Sequence, residues 1–227
     1  MVEFLKKSFE YLRLSLSEPL LAPLVPEMAR GPVATLWQLD ERLGELARTG
    51  REPALRQIRL RWWHDQLAAL QPGAHHADPL LHQVAQHLVP AIPTSALTAL
   101  VDAWEAVALA DAGAAQQGEL THRGALLFAA TAPLLGHAGG DVIQSAGAGW
   151  AAVGNAQNMA LIQGEAQGAD GAAWQMANAA LSNISYHKLP RALAALTALS
   201  RSIAARNGQR RPRAEQLLVL RVGLFGR

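Results

Sequence analysis

Arg56, Arg59 and Gln66 interrupt a stretch whose other regularly spaced residues are apolar, and Trp63 lies among them. The run from Arg51 to Leu70 reads REPALRQIRLRWWHDQLAAL. At about 100° per residue, Leu55, Ile58, Leu60, Trp62, Trp63, Leu67 and Leu70 cover a broad apolar arc. Arg56, Arg59 and Gln66 project from the middle of that arc, whereas Arg61, His64 and Asp65 lie opposite. A desolvated guanidinium needs compensation, so Arg59 is expected to meet a carboxylate, a wet cavity or an anionic ligand. Two readings are open. One is a structural ion pair, with Asp40 as the partner. The other is a polar spot on the wall of a binding cavity, lined by Asp40, Arg56, Arg59, Trp63 and Gln66.

Other residues extend the cavity reading. Arg123 is the only Lys or Arg between Trp62 and His187, and it either pairs with a neighbouring acid or anchors an anionic headgroup. Asn155 and Asn158 either line the cavity or are buried, hydrogen-bonded amides. Asp102 and Glu105 form an i,i+3 carboxylate pair, which reads as a cation site or as solvated charge. His75, His76 and His82 fit no standard metal spacing and read as solvated. The Gly147-x-Gly149-x4-Gly154 pattern follows no strand, so it is not a dinucleotide loop. With no cysteine, disulfides, thiolate nucleophiles and Cys-ligated zinc are excluded. No residue is assigned a catalytic role, and neither a metal nor another cofactor is expected.

These side chains need helices to carry them. Val33, Leu36, Trp37, Leu39, Leu43, Leu46 and Ala47 make one helical face that includes Asp40, with Gly31-Pro32 at its start and Thr49-Gly50 at its end. The short link to Glu52-Pro53 makes this helix and the next antiparallel neighbours, with Asp40 and Arg59 able to meet in the seam. Glu41, Glu45 and Arg48 share the outer side. Further helices are expected from Asp78-Pro79 to His87, from Thr94 or Ser95 to about Ala112, and over GELTHRGALLFAATAPLLGHAGG with an interruption near Pro133. The chain from Val142 to Gly164 has no formal charge. Its Gln, Asn, Ser and Gly content argues for a buried central helix with close neighbours rather than a membrane span. GADGAAWQMANAALSNISYHKLP reads as a helix followed by a Pro-stopped loop, and helices from Arg191 to Ala205 and from Ala214 to Leu224 follow. Ahead of them all, Phe4, Leu5, Phe9, Leu12 and Leu16 suggest a short amphipathic helix, and Pro19, Pro23 and Pro26 an extended connector. The early acids and the broken apolar run predict no signal peptide.

The stretch LWQLDERLGELARTGREPALRQIRLRWWHDQLAAL resembles the early helical pair of the squalene/phytoene synthase family, whose variants carry a similar REP…RLxWW run. PLLHQVAQHLVP…SALTALVDAWEAV, RGALLF and LPRALAALTALSR…LFGR are similar to later parts of the same family, and together these segments run from about residue 20 to the end. The resemblance implies an all-α, single-domain helical bundle of the isoprenoid synthase type around a central cavity. It divides the chain into an N-terminal helix and Pro-rich connector over 1–28 and a family-like helical domain over 29–227.

Active members of that family hold Mg²⁺ against a substrate diphosphate with two Asp-rich motifs on facing helices. The first aligns over Gly44, Glu45 and Arg48, and the second falls in GWAAVGNAQNMALIQ, which contains no acid. Carboxylates at i and i+4 share a helix face and bind one hard cation together. Without them, no metal stabilises the leaving diphosphate. The resemblance therefore implies a non-catalytic isoprenoid- or lipid-binding protein, or an assembly factor like the branch similar to a mitochondrial respiratory complex I assembly factor. The alternative is a prenyltransferase that joins isoprenyl diphosphates with atypical Mg²⁺ ligands such as Asp40, Glu41, Glu45, Asp102 and Glu105. From Lys188 onward nine Lys and Arg face Glu215 alone, so this basic end is a candidate contact for a protein partner or an anionic membrane surface. No recognition motif accompanies the charge, and nucleic acid is not expected. The expected location is cytoplasmic, peripheral to the inner membrane if that contact is made.

Overall fold

Proline marks where most helices of this chain begin. A fixed φ and a missing N–H suit the first helical turn, where amide hydrogens have no intrahelical acceptor. The computed structural model describes residues 14–49, 52–163 and 170–226. Among these, the α-helices are α1 (Glu27–Arg48), α2 (Pro53–Ala69), α3 (Pro79–His87), α4 (Thr94–Leu109), α5 (Ala114–Leu134), α6 (Asp141–Gln163), α7 (Asp170–Ser182), α8 (Arg191–Ala204) and α9 (Pro212–Phe225). Short 3₁₀ turns lie at Ala22–Leu24 and Tyr186–Lys188, and no described residue is in a strand. Pro26, Pro93 and Pro190 are N-caps, while Pro53, Pro79 and Pro212 are first helical residues. Asp78 adds a side-chain cap to α3, accepting from the amides of Leu80 (2.9 Å) and Leu81 (3.1 Å).

Some boundaries differ from the sequence expectation. Helix α1 begins at Glu27, a turn before Gly31-Pro32, and Pro32 lies inside it. The carbonyl that loses an amide partner there is that of Met28, whose residue is 91% exposed, so water can replace the missing donor. The amphipathic helix expected over Phe4, Leu5, Phe9 and Leu12 lies outside the described residues. Leu16 of that set is buried, as are Leu14, Leu21 and Val25. Residues 14–25 therefore form a strap that contributes to the core.

Two apolar cores share the domain. One joins Leu36, Leu39 and Leu43 of α1 to Leu60, Trp63 and Leu67 of α2 and to buried residues of α3 and α4. The other joins the strap to Phe128 of α5 and to buried residues of α6 through α9. Helix α5 serves both, with Leu127 in the first and Phe128 in the second, and Trp37 and Trp150 pack against both. Closest approach occurs between α5 and α6. A Cβ built on Gly124 would meet the Gly147 carbonyl oxygen, and one on Gly147 would meet that of Gly124. The glycines of the uncharged stretch thus allow close packing, as the composition suggested. Among the described residues the longest fully buried run, however, lies in α8, where every residue over 192–200 is buried. Its buried hydroxyls bond within the helix, Thr197 to the Leu193 carbonyl (2.7 Å) and Ser200 to the Leu196 carbonyl (2.8 Å). No described helix is long and apolar enough to cross a membrane.

Candidate functional site

A cavity of about 560 Å³ lies where the two cores meet. Helices α1, α4, α5 and α6 and the strap supply its lining. Leu14, Leu16, Val25, Val33 and Leu120 make the aliphatic part, and Trp37, Trp104 and Trp150 the aromatic part. Trp37 and Trp150 stand edge to face with centroids 5.2 Å apart.

At the polar end lies a buried ion pair. Asp40 of α1 is 7% exposed and Arg123 of α5 is 8% exposed. Arg123 donates through Nη1 to Asp40 Oδ2 at 2.7 Å, and Trp104 donates through Nε1 to Asp40 Oδ1 at 2.9 Å. Both carboxylate oxygens are therefore engaged. The guanidinium carbon of Arg123 lies 4.9 Å from the Trp104 ring centroid and 5.0 Å from that of Trp150, so two indoles hold the cation. Arg48 contacts Trp104 in the same way at 5.2 Å. Gly44 makes room for this arrangement, because a Cβ there would lie 2.8 Å from Trp104 Cζ2.

Two buried donors in this wall have no protein acceptor: Arg123 Nε and Gln157 Nε2. An unpaired buried donor costs about 1–3 kcal/mol, so an oxygen within their reach would be stabilised. The strap closes one side of the cavity. Trp150 Nε1 donates to the Leu14 carbonyl at 2.8 Å, and Arg30 Nε donates to the Val25 carbonyl at 3.3 Å.

Of the residues expected at a cavity, Asp40, Arg123, Asn155 and Asn158 line it, and Arg56, Arg59, Trp63 and Gln66 do not. The expected Asp40–Arg59 pair does not form. Arg59 is exposed, and Asp40 is taken by Arg123 and Trp104. The reason is the width of the buried face of α2. Only Leu60, Trp63 and Leu67 of that helix are buried, while Leu55 (46%), Ile58 (64%) and Trp62 (44%) are exposed. The apolar arc is broad in sequence and narrow in contact, so its middle is not the seam. Trp63 packs in the first core. Arg56 is half-buried, and its Nε has no protein acceptor. Gln66 is held by the following loop: His76 Nδ1 accepts the Asp78 amide at 2.9 Å, which leaves Nε2 to donate to Gln66 Oε1 at 3.1 Å.

The carboxylates named for an alternative metal site are dispersed. Asp40 and Glu41 line the cavity, but Glu45 faces Arg42 on the surface at 3.4 Å. Asp102 is exposed, with His64 Nε2 at 3.7 Å, and neither it nor Glu105 lines the cavity. With both Asp40 oxygens engaged, these residues do not fit a Mg²⁺–diphosphate site. No group of three or more His, Asp or Glu among the described residues could hold a metal ion.

Trp104, Trp150, Gln38, Arg30 and Gln157 also line the cavity and were not singled out from the sequence. One signal pointed to them. Trp104 shares α4 with the Asp102/Glu105 pair, and Trp150 shares α6 with Asn155 and Asn158. Comparison with protein-family models, with curated proteins and with solved structures returned no match.

Proposed function

We propose that this protein is a squalene/phytoene-synthase-like member of the isoprenoid synthase type that binds an isoprenoid or similar long apolar chain and performs no diphosphate chemistry. On this reading it is a lipid-binding or respiratory-complex assembly-type factor. The observation that carries the proposal is the cavity itself: about 560 Å³, walled by Trp37, Trp104, Trp150 and aliphatic side chains, with the buried Asp40–Arg123 pair in its lining. Small-molecule sites have this size and this composition, mostly apolar with a few convergent polar groups. The apolar tail lies along the strap side, and an oxygen at the ligand's polar end faces Arg123 and Gln157.

Gly44 supports the non-catalytic part. It stands where the resemblance places the first Asp motif, and Trp104 fills the space a side chain would need. On α6, the corresponding face offers Asn155, Gln157 and Asn158 rather than carboxylates. The alternative reading, a prenyltransferase with atypical ligands, needs acids converging from two helices, and Asp40 and Glu41 are neighbours on one.

Thermal denaturation with farnesol, geranylgeraniol and their diphosphates tests the proposal. Binding is expected to raise the melting temperature equally with and without Mg²⁺. A ligand at 100 times its dissociation constant adds about 2.7 kcal/mol. No diphosphate release is expected. Absence of any shift overturns the cavity reading, and Mg²⁺-dependent release abolished by Asp40→Asn overturns the non-catalytic one.

A further inference from the structure

Helix α9 has two unlike faces. Glu215, Val219, Val222 and Gly223 are buried against the domain. On the opposite side Leu217 (69%), Leu220 (56%) and Leu224 (68%) are exposed, and at about 100° per residue they fall within one narrow stripe. Phe225, 68% exposed, extends it. Isolated exposed leucines need no explanation, whereas a continuous stripe marks a contact.

The charges that α9 itself places beside the stripe have one sign. Glu215 is the only acid from Lys188 onward, and it is 1% exposed. It is also saturated, accepting from Arg206 Nη2 (3.2 Å), Arg210 Nε (2.8 Å) and the Arg211 amide (2.7 Å). Arg213 and Arg221 stay exposed beside the leucines, and among the described residues neither forms an ion pair.

We propose that the outer face of α9 docks on an anionic lipid surface, its leucines entering the headgroup region and Arg213 and Arg221 meeting lipid phosphates. An apolar stripe flanked by arginines matches the interfacial helix in both respects. A second copy of this chain fits the face poorly, since a two-fold contact would set these arginines against themselves. The strap links this face to the cavity. Pro19, Leu20, Pro23 and Leu24 border the groove beside α9, whereas Leu14, Leu16 and Val25 line the cavity. A docked lipid surface would thus sit one chain segment away from the cavity proposed above. The docking proposal does not depend on that cavity being filled.

The test uses the full chain with vesicles of phosphatidylcholine alone and of phosphatidylcholine mixed with phosphatidylglycerol, in a flotation assay. Binding is expected only to the anionic vesicles and is expected to weaken with salt. The variant Leu217→Ser/Leu220→Ser/Leu224→Ser should lose it while keeping its melting temperature. Arg213→Gln/Arg221→Gln should weaken it roughly thirtyfold, at about 1 kcal/mol for each charge. Because the chain has no cysteine, Leu220→Cys and Ile58→Cys each give a single labelling site on a different exposed apolar stripe. A polarity-sensitive dye should shift to the blue on anionic vesicles at Leu220→Cys and not at Ile58→Cys. The proposal is overturned by no flotation of the unmodified chain, by undiminished flotation of the serine variant, by a dye shift at both sites or at Ile58→Cys alone, or by a concentration-dependent dimer that the serine variant abolishes.

Discussion

Asp40 and Arg123 decide more of this protein than any other pair of side chains. Removing either partner leaves a buried charge without compensation, so Asp40→Ala and Arg123→Ala should each cost about 3–5 kcal/mol in denaturant unfolding. Asp40→Leu/Arg123→Met should recover most of that loss, short of about 1–3 kcal/mol for the Trp104 N–H left without an acceptor. Arg59→Ala should change stability by no more than about 0.5 kcal/mol and be additive with Asp40→Ala. A coupling between residues 40 and 59 would contradict an Asp40 carboxylate held by Arg123 and Trp104. An ion pair at Asp40 was one of the two readings the sequence left open, because a charge inside an apolar face needs compensation. Its partner was not legible, because Arg123 lies 83 residues away in sequence. A second prediction at this scale concerns Glu18, whose carboxyl pKa is raised from 4.5 chiefly by burial, with Arg210 opposing and Glu215 adding to the rise. The folded state then holds this proton more tightly than the unfolded chain, so the group lowers stability once the pH rises through 4.5. Glu18→Gln should raise the melting temperature at neutral pH, and the gain should vanish as the pH falls below about that value.

Helices follow from sequence more readily than side-chain partners do. Proline and the apolar periodicity place α2, α3, α4, α8 and α9 to within a few residues. Pro32 misled at α1, since its local preference for a first turn yielded to the packing of Ala29 and Val33. The small residues of α6 announced close packing but not against what. That depends on Gly124, one glycine among many in the chain. Gly124→Ala and Gly147→Ala each force a methyl group into the facing backbone and should lower stability by about 1–3 kcal/mol. Gly118→Ala, on the same helix with nothing within 4 Å of the added methyl, should instead raise it by about 0.5–1 kcal/mol. If all three change stability alike, helix propensity rather than the α5–α6 crossing governs these positions.

Across the whole molecule, the cavity is a product of the boundary between two cores. No single helix signals it. Its walls come from four helices and a strap, and only the residues whose polarity conflicts with an apolar setting hinted at it. The same conflict on α2 pointed to the wrong place, because a helix at the edge of the bundle can leave arginines in water. Trp37, Trp104 and Trp150, among the six tryptophans of the chain, line this boundary. The site therefore carries its own optical probe. A ligand that expels water from those rings should move the intrinsic emission to shorter wavelength, and Trp150→Phe should remove much of that change. Occupancy can then be followed by light alone, without a label or any knowledge of which apolar chain has entered.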